Sequence, residues 1–305
     1  MEMVTRYTRK SLTWVDLTSP TGGEVRALMD EFDIHPIIAD ELLSPSIKQK
    51  AEIKDSHLYL VIHVPMFRDG RVGTTQEVDF IVGRNVLITT RYEAVDKLHA
   101  FAKEFERDTM LGHASTGPLG SHLLFHMIEW LYRDLSDELD TMREVLERIE
   151  ERIFRGKEKE MVFELSNSSR AILDFRRALL PHKELLASIE LMGGKLFGAD
   201  FAFYARTLQG HQAKLFAQLE QLRDLLLELR GTNDSLLSTK QNETMRILTI
   251  MALLTFPLAL FVAIFDIDAK YNPIIGLPYD FWIIVGAVIV AACLMLWYFK
   301  HKRWL

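Results

Sequence analysis

Two long uncharged stretches dominate the C-terminal quarter of the chain. There is no charged side chain from Ile247 to Phe265, and none from Phe281 to Phe299. Each run is about 19 residues, or about 28 Å as a helix, which matches the hydrocarbon thickness of a bilayer. They predict two membrane spans. A buried hairpin in a soluble core is the rival reading, and the length of both runs argues against it. Upstream, a helical pattern starts near Asp200 and meets no proline before Pro257, which already lies inside the first apolar run. Gly210 and Gly231 weaken such a helix without ending it. The pattern therefore predicts one helix of about 66 residues and about 100 Å that runs directly into the membrane.

From about Ser121 the spacing also predicts long helices. Leu135, Leu139, Met142, Leu146, Ile149 and Ile153 recur at steps of three and four between dense charges, as in "RDLSDELDTMREVLERIEER", so one stripe packs and the rest is a solvated face. "RGKEKE" reads as a turn. The stretch from Met161 to Met192 then returns antiparallel, with Pro181 expected to kink it. The first hundred residues have a different rhythm. "TWVDL" and "SHLYLVIHVPMF" are rich in β-formers, and "TQEVDFIVG" and "NVLITT" form a hairpin pattern. "TGGEVRALMDEF" and "HPIIADELL" have helical spacing, which makes this region a small sheet flanked by helices.

Composition narrows the function. The net charge of −6 argues against a phosphate-binding surface and hence against nucleic acid. The only cysteine, Cys293, lies in the second apolar run, so no disulfide framework or paired-cysteine metal site exists. His35, His57 and His63 sit on different elements without ligand spacing, and no nucleophile or phosphate-loop motif occurs, so neither a cofactor nor an enzyme is indicated. The chain ends "KHKRWL", whereas the short connection between the spans carries Lys270 against Asp266, Asp268 and Asp280. Positive charge favours the cytoplasm, so both termini are expected there, in a multi-pass protein of the inner (cytoplasmic) membrane. The opening "MEMVTRYTRKSLTWVD" has no apolar segment of signal-peptide type, so insertion is expected to depend on the C-terminal hairpin.

One face of the long helix raises a question of chemistry. Asn242, Met245, Thr249, Ala252, Phe256, Ala259, Ala263 and Asp266 follow alternating steps of three and four, a period of 3.5. The seam they form is polar at both ends and mostly small in between. A lipid-facing stripe has no use for Asn242 at one end and Asp266 at the other. Such a seam serves either a pore shared by several copies or close helix packing without conduction.

Six blocks carry a family resemblance: "WVDLTSP", "FDIHPIIADELL", "VDFIVGRNVLITT", "RRALLPHKELL", "NETMRILTIMALLTFPLALFVAIF" and "WYFKHKRWL". In this order, and nearly end to end, they resemble the CorA superfamily of divalent-cation channels and transporters. The resemblance implies a funnel-shaped homopentamer. Its parts would be an α/β cytosolic domain over 1–110, an antiparallel long-helix pair over 111–195 and a stalk helix over 196–241. After these would come the stalk end and pore-lining span over 242–268, an outer loop over 269–280, the second span over 281–299 and a basic tail over 300–305. It also implies that Asn242, Met245 and Leu248 form the cytosolic mouth and apolar gate, that Phe256 fills a bulky pore position, and that Ala259 stands where the family often has a hydroxyl. The family's usual Gly-Met-Asn is replaced here by Asp266, Ile267 and Asp268, which puts carboxylates where that family presents side-chain carbonyls. Rings of Asp266 and Asp268 would attract cations and raise one another's proton affinity. The expected function is passage of a divalent metal such as Mg2+, Zn2+, Co2+ or Ni2+, with no cofactor and with lipid and further copies as partners. Proton-coupled zinc transport and a non-conducting membrane scaffold are the alternatives.

Overall fold

The computed structural model describes residues 4–9, 11–65, 67–68, 71–72, 75–92, 96–110, 119–265 and 279–302. They divide into two compact units, Met1–Arg230 and Gly231–Leu305.

In the first unit six strands make one sheet: β1 (Val4–Arg9), β2 (Leu12–Thr18), β3 (Lys50–Lys54), β4 (His57–Val64), β7 (Gln76–Val82) and β8 (Val86–Arg91). Their order is β1-β2-β8-β7-β4-β3, with β2 and β8 parallel and the other neighbours antiparallel. A two-stranded ribbon, β5 (Phe67–Arg68) with β6 (Arg71–Val72), stands apart from it. The inner strands β7 and β8 are buried throughout; Phe80–Val82 and Val86–Ile88 are apolar on consecutive positions, as expected of strands covered on both faces, while Glu77, Asp79, Thr89, Thr90 and Arg91 are buried polar or charged residues. Residues alternate between two layers. Val15, Leu17, Tyr59, Val61, Ile81 and Ile88 join a core with Val25 and Leu28 of α1 (Gly22–Phe32), Ile38 of α2 (Pro36–Glu41) and Leu42, which caps α2. On the other layer, Trp14 stacks on Tyr7 and meets Phe101 and Phe105 of α3 (Asp96–Met110) edge-on. The start of α1 follows from a reciprocal cap. Thr21 accepts from the Glu24 N–H, and the Glu24 carboxylate accepts from the Thr21 N–H at 2.8 Å.

The helical part contains α4 (Gly120–Phe154), α5 (Glu158–Leu179), α6 (His182–Phe197) and α7 (Ala199–Phe265). The stripe read from the sequence, Leu135 to Ile153, is buried as expected. At Pro181, however, the returning segment does not bend as one helix but ends and restarts. Proline has no N–H to give and its ring crowds the preceding turn, so Leu180 closes α5 and Pro181 caps α6. Gly198, at φ 96°, reverses the chain again into α7, a single helix of 67 residues that contains Pro257. Its earlier part packs through Leu208, Leu215, Leu219, Leu222, Leu226 and Leu229, all buried. Strands β1 and β3 have no counterpart in the sequence reading, because they are short and of mixed polar composition; α3 has none either, although Phe101, Ala102 and Phe105 stand at helical spacing and are buried.

Gly120 anchors α4 to the sheet. Its N–H donates to the Arg84 carbonyl at 2.9 Å, and a Cβ placed there would press into the carbonyl oxygens of Val86 and Gly83. Both obstacles are backbone, so neither can swing away. Gly120→Ala is expected to cost about 2–3 kcal/mol, read as a lowered midpoint in thermal unfolding of the purified chain. An unchanged midpoint would show that the α4 start is not held against the β7–β8 turn.

Candidate functional site

The second unit contains the end of α7 and α8 (Asp280–His301). Both helices are long and apolar enough to cross a membrane. Large apolar side chains stand out of them on most sides. Phe256 is 72% exposed, and Met245, Leu248, Met251 and Leu260 are all more than half exposed. Such surface is incompatible with water and requires lipid or protein around it. Exposed aromatic residues gather at both ends of α8: Tyr279, Phe281 and Trp282 at one end, Trp297 and Tyr298 at the other. Amphipathic rings collect where hydrocarbon meets headgroups.

The two faces of α7 differ. Ile250 is buried, and Leu254, Leu258 and Phe261 are half-buried. On α8 the covered positions are Ile284, Val285, Val288, Ala291, Ala292, Met295 and Phe299, again at helical spacing. A groove of about 510 Å³ has walls from both helices: Glu243, Arg246, Ile247, Ile250, Met251 and Leu254 from α7 and Leu296 from α8. At 100° per residue, the centre line of Asn242, Met245, Thr249, Ala252, Phe256, Ala259 and Ala263 lies about 165° around α7 from the covered face. All seven share one side, and all except half-buried Ala252 are exposed. Leu248, also exposed, stands about 70° off that centre line. Asp266 and Asp268 lie outside the described residues.

The polar groups of this side are few. The Thr249 hydroxyl donates to the Met245 carbonyl at 2.8 Å, so its oxygen keeps acceptor capacity towards the open side. Pro257 has no N–H to offer the Leu253 carbonyl, which loosens the helix in the middle of the apolar run. The groove opposite the seam was not legible in the sequence. Its one signal there is Arg246, the last charge before the apolar run.

The three histidines singled out in the first unit have structural roles. The His35 Nδ1 accepts from the Ile37 N–H at 3.2 Å and so caps α2. Buried His57 has its proton affinity lowered, chiefly by burial. His63 Nε2 lies 3.2 Å from the Glu77 carboxylate and 3.2 Å from the Ser46 carbonyl. Among the described residues no group of three or more His, Cys, Asp or Glu is arranged to hold a metal ion. Next to Glu77, Asp79 is buried, and its carboxylate accepts from the Tyr59 and Tyr92 hydroxyls, both at 3.3 Å. Burial, followed by the neighbouring charge of Glu77, raises its proton affinity far above the carboxylate range.

The chain is similar to known proteins. The chain is 24% identical over 295 residues to the cobalt/magnesium transport protein CorA of Thermotoga maritima, covering 96% of this chain and 83% of that protein. It is 23% identical over 185 residues to the divalent cation transporter CmaX of Pseudomonas aeruginosa, covering 61% of this chain and 54% of that one. Among solved structures, the complete CorA magnesium transporter of Methanocaldococcus jannaschii superposes with a TM-score of 0.85 at 17% identity, covering 98% of this chain and 93% of that chain. Full-length CmaX gives 0.72 at 15% identity, with 96% and 89% covered. These superpositions establish the shared fold, an α/β region followed by a long helix and two apolar helices. The description "CorA-like Mg2+ transporter protein" fits residues 9–301, nearly the whole chain, and the chain therefore belongs to this family of membrane-inserted transporters, not of enzymes.

Proposed function

We propose that the chain conducts divalent metal ions across the cytoplasmic membrane through a pore built from identical copies, five by analogy with the resemblance described above. The observation that carries this reading is the two-sidedness of α7: the seam from Asn242 to Ala263 is turned away from the face that α8 helps to cover. One helix cannot enclose a channel, so several seams must border a common axis. Met245 and Leu248 form a narrow apolar neck there, with no group to replace the ion's water, and such a neck closes by dewetting and opens as helices tilt. Thr249 supplies the hydroxyl above it. Asp266 and Asp268 form the acidic mouth, concentrating cations through a field strongest in dilute salt. Both termini lie in the cytoplasm, on the side of the basic tail.

Magnesium holds its water shell tightly and would pass such a mouth hydrated, whereas zinc, cobalt or nickel could shed water to its carboxylate oxygens more readily. Metal flux into proteoliposomes is the test, with magnesium, zinc, cobalt and nickel compared at two pH values. Asp268→Ala is expected to lower flux at least several-fold at low ionic strength while the oligomer persists on size exclusion. Equal flux of all four ions in the variant and the parent would remove Asp268 from the mouth. Flux that follows an imposed proton gradient would favour proton coupling over passive passage.

A further inference from the structure

The groove between α7 and α8 is on the side of α7 away from the seam, and nothing in ion passage uses it. Its floor is apolar, with Ile247, Ile250, Met251 and Leu254 from one helix and Leu296 from the other. Its volume, about 510 Å³, is in the range of small-molecule and lipid-chain sites. One end is charged. Arg246 and Glu243 line the groove there. Lys300, exposed, is four residues beyond Leu296 and so on the same side of α8, one turn further on. Lys302 is close by in sequence and places its ammonium 5.6 Å from the Tyr298 ring. Arg246 and Lys300 bring positive charge to this rim, with Glu243 beside them.

We propose that this groove binds an anionic phospholipid, its acyl chain lying along Ile250, Leu254 and Leu296 and its phosphate meeting Arg246 and Lys300. The chemistry is that of a basic pocket between spans at the headgroup level. A long apolar trough asks for a chain, and a positive rim asks for an anion; a phospholipid such as phosphatidylglycerol supplies both in one molecule. A helix from a neighbouring copy is the competing occupant; it would leave no room for the acyl chain, and the oligomer would then carry no lipid. The inference needs membrane insertion of α7 and α8 and is independent of whether the seam conducts.

Native mass spectrometry of the full chain, purified in an uncharged detergent, measures this directly. The probes are phosphatidylglycerol, phosphatidylcholine of the same acyl chains, and sn-glycerol 3-phosphate as the headgroup alone. Each basic side chain engaged is worth about fivefold in affinity, so phosphatidylglycerol should be retained at least tenfold more tightly than phosphatidylcholine, at one per copy, with no competition from glycerol 3-phosphate. Arg246→Gln should reduce that preference about fivefold, and Arg246→Lys should keep it. Leu296→Trp, which fills the trough, should weaken retention of both lipids without touching the charge. Equal retention of the two lipids by the parent would overturn the proposal. So would an unchanged preference in Arg246→Gln, displacement by glycerol 3-phosphate, or an oligomer that retains no lipid because a neighbouring helix occupies the groove.

Discussion

Leu248→Arg is expected to reduce divalent-metal flux in proteoliposomes at least a hundredfold, to the level of protein-free vesicles. Leu248 is exposed on the second unit and lies on the half of α7 that carries the seam. In an assembled pore it would stand at the neck with Met245. A guanidinium there stays charged at any usable pH. Two unit charges 6 Å apart interact by on the order of 3 kcal/mol at an effective dielectric constant of 20. A divalent ion doubles that, and several copies contribute together, so the barrier rises by far more than the roughly 3 kcal/mol needed for a hundredfold loss. Ile247→Arg is the control. It introduces the same charge at nearly the same depth, but about 100° away around the helix, beside the groove. That variant should keep most of the parental flux. Equal flux from Leu248→Arg and the parent would place Leu248 away from the ion path, and equal loss in both variants would point to charge at that depth instead of position.

The second large effect is on acid stability. His182 is buried at the start of α6 and joins three elements. Its Nε2 lies 3.1 Å from the His63 carbonyl of β4, which can only accept, so the proton sits on Nε2 and Nδ1 accepts from the Tyr132 hydroxyl of α4 at 3.0 Å. Burial, against the help of the His63 carbonyl, lowers the pKa of this imidazole from 6.5 to about 4. The sign follows from proton counts. Between pH 6.5 and 4 the unfolded chain binds a proton at this site and the folded chain does not, so the folded state loses stability as pH falls through that window. The loss amounts to about 3 kcal/mol. His182→Gln retains a neutral donor and acceptor and does not titrate, so its acid limb should be shallower by about one proton, measured as unfolding midpoint against pH for the full chain in detergent. His182→Ala should be less stable than the parent at neutral pH, because the buried Tyr132 hydroxyl then has no partner, and the gap should narrow as pH falls towards 4. Asp79 acts in the opposite direction: its raised proton affinity means stability is lost as pH rises from the ordinary carboxylate range. This contribution overlaps the His182 window and is shared by all three proteins, so it cancels from their differences, and the three curves should run parallel above pH 6.5. Identical acid limbs in the parent and His182→Gln would show that His182 is charged in the folded state.

Much of the architecture could be read from the order of residues. The two uncharged runs fixed the number and length of the apolar helices, since hydrocarbon thickness and helix rise leave little choice. Continuity of α7 could be read because no proline stands before Pro257 and glycines at 210 and 231 weaken a helix without ending it; the helix runs on through Pro257 as well. The seam from Asn242 to Ala263 was also visible, because a fixed angle per residue turns spacing into a face. At Pro181 the same reasoning located the disturbance but misjudged its form: whether a proline bends a helix or ends it depends on what the next turn packs against, and here His182 is drawn into the junction of α4 and β4.

Other features needed the tertiary structure. The sequence marks a seam but does not say which side of α7 meets α8, and that is decided by burial at Ile250, Leu254, Leu258 and Phe261. The groove with Arg246 and Leu296 joins residues 50 positions apart, and no periodicity connects them. The burial of Asp79 and of His182 is likewise a property of the packed sheet and helices, since identical side chains on a surface would titrate as they do in water. Local rules of rise, angle and polarity act along the chain and are written in it; contacts between distant segments depend on how whole elements fill space, and only the folded molecule states them.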